Sequence, residues 1–294
     1  MSQPVWLITG CTSGFGEAIA KEVLGRGYKV IATARRASRL SSLQAAGATI
    51  LDLDVSAGDD AVEKAFAASH AVYGRITHLV NCAGYVLNGA VEESSTADIA
   101  AQFTTNMIGA ASVSRTAIPY LRDAAAKAQG RHPVVLANFG SLAGYSSLPG
   151  VAAYCATKAA VSVFSDGMAA ELAPFGITVC SIEPGYFRTG LLNTSAESVH
   201  RIQASKTLEV YDGTPAHESN KALDMVDNQQ LGDVVKGAKV IVDVFTKSGV
   251  AEEKDIPLRL VLGSDIVKAI REKMAEAKKL LDDWEVIASS TDHQ

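Results

Sequence analysis

The run from Val5 to Thr9 leads without interruption into glycines at positions 10, 14 and 16, and no other stretch restricts the fold as strongly. A strand that is apolar on both sides belongs in the middle of a parallel sheet, covered above and below. The chain must then turn sharply out of that strand and bring its backbone close to a ligand at a helix N-terminus, which is what glycine permits. The spacing is G-x-x-x-G-x-G, not the commoner G-x-G-x-x-G. A helix follows, with Phe15, Ile19 and Val23 on one side and Gly25 and Gly27 at its end, and a second strand is expected over 28–33.

Further strands are predicted near 49–53, 78–80, 133–137, 177–182 and 258–262, with helical patterns between them. A charged helix is expected over about 264–284. Strands alternating with helices give an α/β fold, a doubly wound, Rossmann-like parallel sheet, here as a single domain over 1–294. Its ligand crevice belongs beyond the carboxyl ends of the strands. Hydrophobic residues at 48% and charged ones at 20% suit a globular chain with a sizeable core. A net charge of −5 argues against nucleic acid as a partner. No apolar run reaches the roughly 18 residues of a membrane span. The four cysteines are far apart and show no metal-ligand spacing, so reduced thiols, a cytoplasmic location and no metal are expected.

The end of the second strand usually decides which nicotinamide dinucleotide such a fold takes. An acidic residue there accepts from the ribose 2′-hydroxyl and repels a 2′-phosphate. Thr33 and Ala34 stand in that region and Arg35 and Arg36 follow, so NADP(H) is expected over NAD(H).

A second chemical stretch runs from Ser141 to Lys158. Pro149 and Gly150 break the chain, and a helix is predicted over 152–173. Within it Ala156, Ala160, Val163, Phe164 and Gly167 form one apolar, close-packing face; Tyr154, Lys158, Val161 and Ser165 form another. Tyr154 and Lys158, four apart, sit one turn above each other. The nearby ammonium is expected to draw the phenol's pKa down from about 10 toward the working range, and Ser141 could hold a carbonyl oxygen beside it.

With these residues in order, the chain resembles the short-chain dehydrogenase/reductase family, in its single-domain branch. The likeness rests on Thr9-Gly10-Cys11-Thr12-Ser13-Gly14-Phe15-Gly16, Asp54-Val55, Asn81-Cys82-Ala83-Gly84, Asn106, Ser141, Tyr154, Lys158 and Pro184-Gly185 with Thr189. The wording of the glycine loop together with Ala34-Arg35-Arg36 is most similar to the hydroxysteroid and retinol dehydrogenase subset. The resemblance implies Tyr154 as general acid/base, Lys158 lowering its pKa and binding the nicotinamide ribose, Ser141 orienting the substrate oxygen, and Asn106 anchoring a water that leads to solvent. It implies adenine contacts at Asp54 and Val55, a wall for the cofactor's middle from Asn81, Ala83 and Gly84, and a carboxamide contact at Thr189 after Pro184-Gly185. The loop glycines and Phe15 would frame the pyrophosphate. Thr12, Ser13, Arg35 and Arg36 would meet the 2′-phosphate. A homodimer or homotetramer, pairing helices near 98–128 and 152–173, is a family-level expectation.

Two departures stand out. Cys82 replaces the second asparagine of the usual N-N-A-G, and Ser141 sits in N-F-G-S, the only serine at the right distance from Tyr154. Cys155, next to the tyrosine, points roughly 100° away from it on a helix, so a packing role is expected. The 186–231 stretch is read as a substrate-binding loop. Its Leu191, Leu192, Ile202, Leu208, Val210 and Tyr211, with Tyr145, Leu148, Val86 and Leu87, could wall an apolar pocket for a bulky ketone or alcohol. The alternatives are a catalytically silent dinucleotide sensor or scaffold of the same fold, and a sugar-nucleotide epimerase, whose glycine spacing and larger C-terminal domain are not evident.

Overall fold

The computed structural model describes residues 3–128, 132–193 and 200–293, so 194–199 of the expected substrate loop lie outside it. In chain order the strands are β1 (Val5–Thr9), β2 (Lys29–Ala34), β3 (Thr49–Asp52), β4 (His78–Asn81), β5 (Val86–Asn88), β6 (Val134–Phe139), β7 (Ile177–Pro184), β8 (Arg201–Gln203) and β9 (Arg259–Leu262). The helices are α1 (Gly14–Gly25), α2 (Ser41–Ala45), α3 (Asp59–Tyr73), α4 (Thr96–Phe103), α5 (Gly109–Ala128), α6 (Ala152–Leu172), α7 (Pro215–Val226), α8 (Val234–Thr246) and α9 (Ser264–Ser289). Seven strands form one sheet in the order β3-β2-β1-β4-β6-β7-β9, every pair parallel. The strand order reverses direction between β1 and β4, so a crevice opens there at the carboxyl edge.

β1 explains why its sequence carries no alternation. All five residues are buried, yet Trp6 and Ile8 join a core with α1 and α8, while Val5 and Leu7 join a second core with α3, α5 and α6. The strand's two-residue period feeds one hydrophobic layer on each face.

The apolar set on α6 behaves differently from its expectation. Lys158, Val161 and Ser165 face the protein interior, whereas Ala156 and Gly167 are exposed and Val163 is 65% exposed. Of the same expected face, Phe164 packs against the core shared with α3 and α5, and Ala160 is half-buried. The charged C-terminal helix runs on to Ser289, five residues past its expected end.

The 186–231 stretch also folds more than its sequence discloses. β8 pairs parallel with β5, Val86 opposite Arg201, and α7 follows it. Arg201 is buried, donating to Asn88 Oδ1 at 3.1 Å and to the Asp224 carboxylate at 2.5 Å.

Candidate active site

Beyond the carboxyl edge of the sheet lies a cleft of about 1040 Å³. It is walled by loops that leave β1, β2, β4, β6 and β7. Gly10 has φ +69°, and a Cβ there would lie 2.8 Å from Ala83 Cα. A Cβ on Gly16 would lie 2.5 Å from the Gly10 carbonyl oxygen. The β1–α1 turn is therefore closed tightly against the β4 end, with the N-terminus of α1 presented to the cleft, an arrangement suited to a pyrophosphate. Thr12, Ser13, Gly14 and Phe15 line the same wall. Thr189 faces them from the other side, its Cβ 3.4 Å from where a Gly14 Cβ would be.

At one end of the cleft are Arg35 and Arg36, with Asp54 and Val55 beside them. Asp54 accepts from the backbone and hydroxyl of Ser56, at 2.9 and 2.6 Å, so its carboxylate forms a local turn at the wall. Two residues not singled out from the sequence join them, Arg39 and His200. Arg39 could have been read from the recurrence of arginine four positions after Arg35. His200 carried no signal; β8 brings it back across the cleft, where its Nε2 lies 3.0 Å from Ser13 Oγ. Burial, then the charges of Arg39 and Arg35, hold its imidazole below the ordinary value.

At the other end Ser141, Tyr154 and Lys158 come together, with Ala83, Gly84, Pro184 and Gly185 between the two ends. Ser141 lies past the end of β6 and caps a short 3₁₀ turn, its Oγ accepting from Ala143 N–H at 3.1 Å. The Lys158 ammonium donates to the Phe139 carbonyl at 2.7 Å and lies 5.8 Å from the centre of the Tyr154 ring. Burial depresses that lysine to about 8. A shift of this size means that holding the cation here costs roughly 3 kcal/mol, which is characteristic of a functional site.

The phenol corrects an expectation. Tyr154 keeps part of its surface open to the cleft, yet burial pushes it up to about 12, against a hydrogen bond from Ser141 that works the other way. Burial is the largest influence, and Cys155 and Tyr186 add to it, so the phenol is protonated across the physiological range.

Two further residues expected at the cleft stand behind its wall. Asn81 points into the sheet's interior and donates to Asn138 Oδ1 at 2.8 Å and Ser114 Oγ at 3.0 Å. On a strand successive side chains face opposite ways, so Cys82 takes the cleft position. Asn106 lies in a π-helical turn, Thr104–Ile108. Its amide exchanges two 3.0 Å hydrogen bonds with the backbone of Tyr85 and donates to Thr157 Oγ1 at 3.2 Å. The side chain thus braces the Gly84–Tyr85 loop against α6.

The apolar wall is assembled only in part as expected. Val86, Leu148, Leu191, Leu192 and Ile202 line the cleft, joined by Val151, Tyr186 and Leu223. Leu87 instead is buried beneath, its N–H on Gln102 Oε1 at 2.6 Å. Tyr145 turns away to hydrogen-bond the buried Glu183. Leu208, Val210 and Tyr211 lie elsewhere, Val210 being 75% exposed and Tyr211 bonded to Glu92. Cys155 is buried in the cluster with Val86, Val151, Leu192 and Leu223, in the packing role expected of it.

Comparison with known proteins agrees with this geometry. A family model described as short chain dehydrogenase matches residues 4–200. Oxidoreductase BOA17 of Botryotinia fuckeliana is 33% identical over 268 residues, 90% of each chain. Retinol dehydrogenase 16 of Rattus norvegicus is 35% identical over 195 residues, 63% of this chain and 57% of its own length. A short-chain dehydrogenase from Streptomyces avermitilis superposes with a TM-score of 0.85 at 33% identity, covering 99% of this chain and 100% of that one. Two structures at 23% identity share the fold alone: one from Burkholderia phymatum in complex with NAD (TM-score 0.78, 95% of both chains) and ElxO with NADP bound (TM-score 0.69, 91% of this chain and 100% of that one).

Proposed function

The chain belongs to the short-chain dehydrogenase family, and from that premise we propose that it is a cytoplasmic NADP(H)-dependent carbonyl reductase. It moves hydride between the nicotinamide and a ketone/secondary alcohol or aldehyde/alcohol pair, with a bulky apolar substrate. One observation carries the reading: Ser141, Tyr154 and Lys158 share a single cleft with the glycine turn and with Arg35, Arg36 and Arg39.

The residues present fit the dinucleotide. The glycine turn offers backbone N–H groups where a side chain has no room. Three guanidinium groups at the far end suit a 2′-phosphate, and no carboxylate stands at the end of β2 to repel it. His200 and Ser13, already hydrogen-bonded to each other, add two more neutral partners at that phosphate. When bound, the dinucleotide supplies or accepts the hydride.

The chain's own residues do the proton work. Ser141 Oγ donates to the substrate oxygen and fixes its direction. A phenol held near 12 is protonated at neutral pH, and Tyr154 Oη gives that proton to the oxygen as the carbonyl becomes an alkoxide, a stronger base than phenolate. Lys158 then faces a phenolate instead of a phenol, and its ammonium stabilises the new charge until the proton is replaced. The leucines and Val86 exclude water from the transfer.

The test is NADPH oxidation across steroids, retinoids, aromatic ketones and simple aldehydes. Turnover with bulky apolar carbonyls is expected to exceed that with small aldehydes. Tight NADPH binding with no turnover on any class would instead indicate a silent dinucleotide sensor.

A further inference from the structure

The last helix is the least supported element of the fold. α9 extends about 39 Å at the 1.5 Å rise of a helix, yet Ile266 is its only buried residue and 274–289 are exposed throughout. A helix of this kind draws its stability from packing an apolar face rather than from propensity. The face exists: Val267, Ile270, Met274, Ala277, Leu281 and Trp284 alternate at spacings of three and four, the a and d positions of consecutive heptads. Met274, Leu281 and Trp284 are 66%, 68% and 56% exposed. The stripe continues the side that Ile266 turns to the body and then runs on where there is no body to meet it.

We propose that α9 pairs antiparallel with the α9 of a second copy of this chain. Volumes match in that register: Trp284 meets Val267, Leu281 meets Ile270, and Met274 meets Ala277, each twice by symmetry. Charges match as well. Lys268, Lys273, Lys278 and Lys279 are paired within the helix, to Glu272, Glu276, Asp282 and Asp283. Arg271 and Glu285 flank the seam and form no ion pair among the described residues. The antiparallel register sets Arg271 of one copy beside Glu285 of the other, whereas a parallel pairing would oppose Lys273 and Lys278. A lipid surface fits less well, because the helix carries six acidic against five basic side chains, and the lysines beside the stripe, Lys273 and Lys278, are already neutralised by Glu276 and Asp282.

Sedimentation of the full chain at micromolar concentration tests this, against the double variant Leu281→Glu/Trp284→Glu. The native chain is expected at twice the variant's mass, whatever other contacts between copies exist, with melting of the body and dinucleotide binding unchanged. Arg271→Glu or Glu285→Arg alone should weaken association about fivefold, and the two together should restore it. Equal masses for the native chain and the double variant would overturn the pairing. So would failure of the charge swap to restore association. Binding of the native chain to phosphatidylcholine/phosphatidylglycerol vesicles, at the variant's mass and lost in the variant, would assign the stripe to a membrane surface instead.

Discussion

On one side of the cleft an extra carbon at Gly16 would come within 2.5 Å of the Gly10 carbonyl; on the other, Leu191, Leu192 and Leu223 meet the cleft with flexible side chains. The dinucleotide side is shaped by backbone, with the turn, the helix N-terminus and the strand ends in fixed contact. The substrate side is shaped by side chains from β5, β8 and α7, held together by buried polar links. Arg201 ties β8 to Asn88 and Asp224, and the buried Glu93 accepts from Ala90, Leu208 and His217 at 2.7, 2.9 and 2.8 Å. A backbone site changes all at once when altered. A side-chain site changes by degrees.

Gly16→Ala should therefore have the largest effect on this contrast. Relieving the clash costs about 1–3 kcal/mol, and dinucleotide affinity should fall by as much as a hundredfold, read by quenching of intrinsic fluorescence. An affinity within twofold of the native chain would show that the turn is not the rigid part. Arg35→Ala is next. Loss of one charge-assisted contact, about 1.5 kcal/mol, should weaken NADPH about tenfold and leave NADH nearly unchanged. Equal losses would remove the 2′-phosphate from the account.

On the substrate side Leu192→Ala should raise KM about fourfold for each methylene that the substrate touches, with dinucleotide affinity unaltered. A fall in NADPH binding instead would mean that the two walls are not separable.

The smallest effect concerns the Glu93–His217 link. Its hydrogen bond to Glu93 raises His217 above the ordinary 6.5, so its contribution is whole below that value and fades as pH rises through the higher folded one. Burial opposes the charge of Glu93, but the N–H groups of Leu208 and Ala90, with His217, hold it below 4.5. Its share is present above 4.5 and fades as pH falls through the lower folded value. Exchange of the Leu208 amide, corrected for its intrinsic rate, should accelerate above neutrality in the native chain and lose that dependence in His217→Gln.

The same contrast explains what could be read from the residues alone. The glycine turn, Arg35, Asp54, Ser141, Tyr154 and Lys158 all meet the cleft because they stand at strand ends or on one helical face, positions that spacing and periodicity disclose. Asn81 and Asn106 were expected there in the right order along the chain but face away, since order does not fix which side of a strand or turn a side chain takes. His200 and Arg201 were not legible, because their places depend on β8 pairing with β5 across more than a hundred residues. The Tyr154 proton was misjudged for a similar reason. Helical spacing disclosed the neighbouring cation, but only the packed structure discloses how strongly burial opposes ionisation.

Single-turnover reduction of a carbonyl substrate by Tyr154→Phe, with NADPH binding measured in the same samples, tests the central claim most directly. The expected result is native dinucleotide affinity with hydride transfer slowed at least about a hundredfold. Transfer at more than a tenth of the native rate would mean that the proton comes from another group.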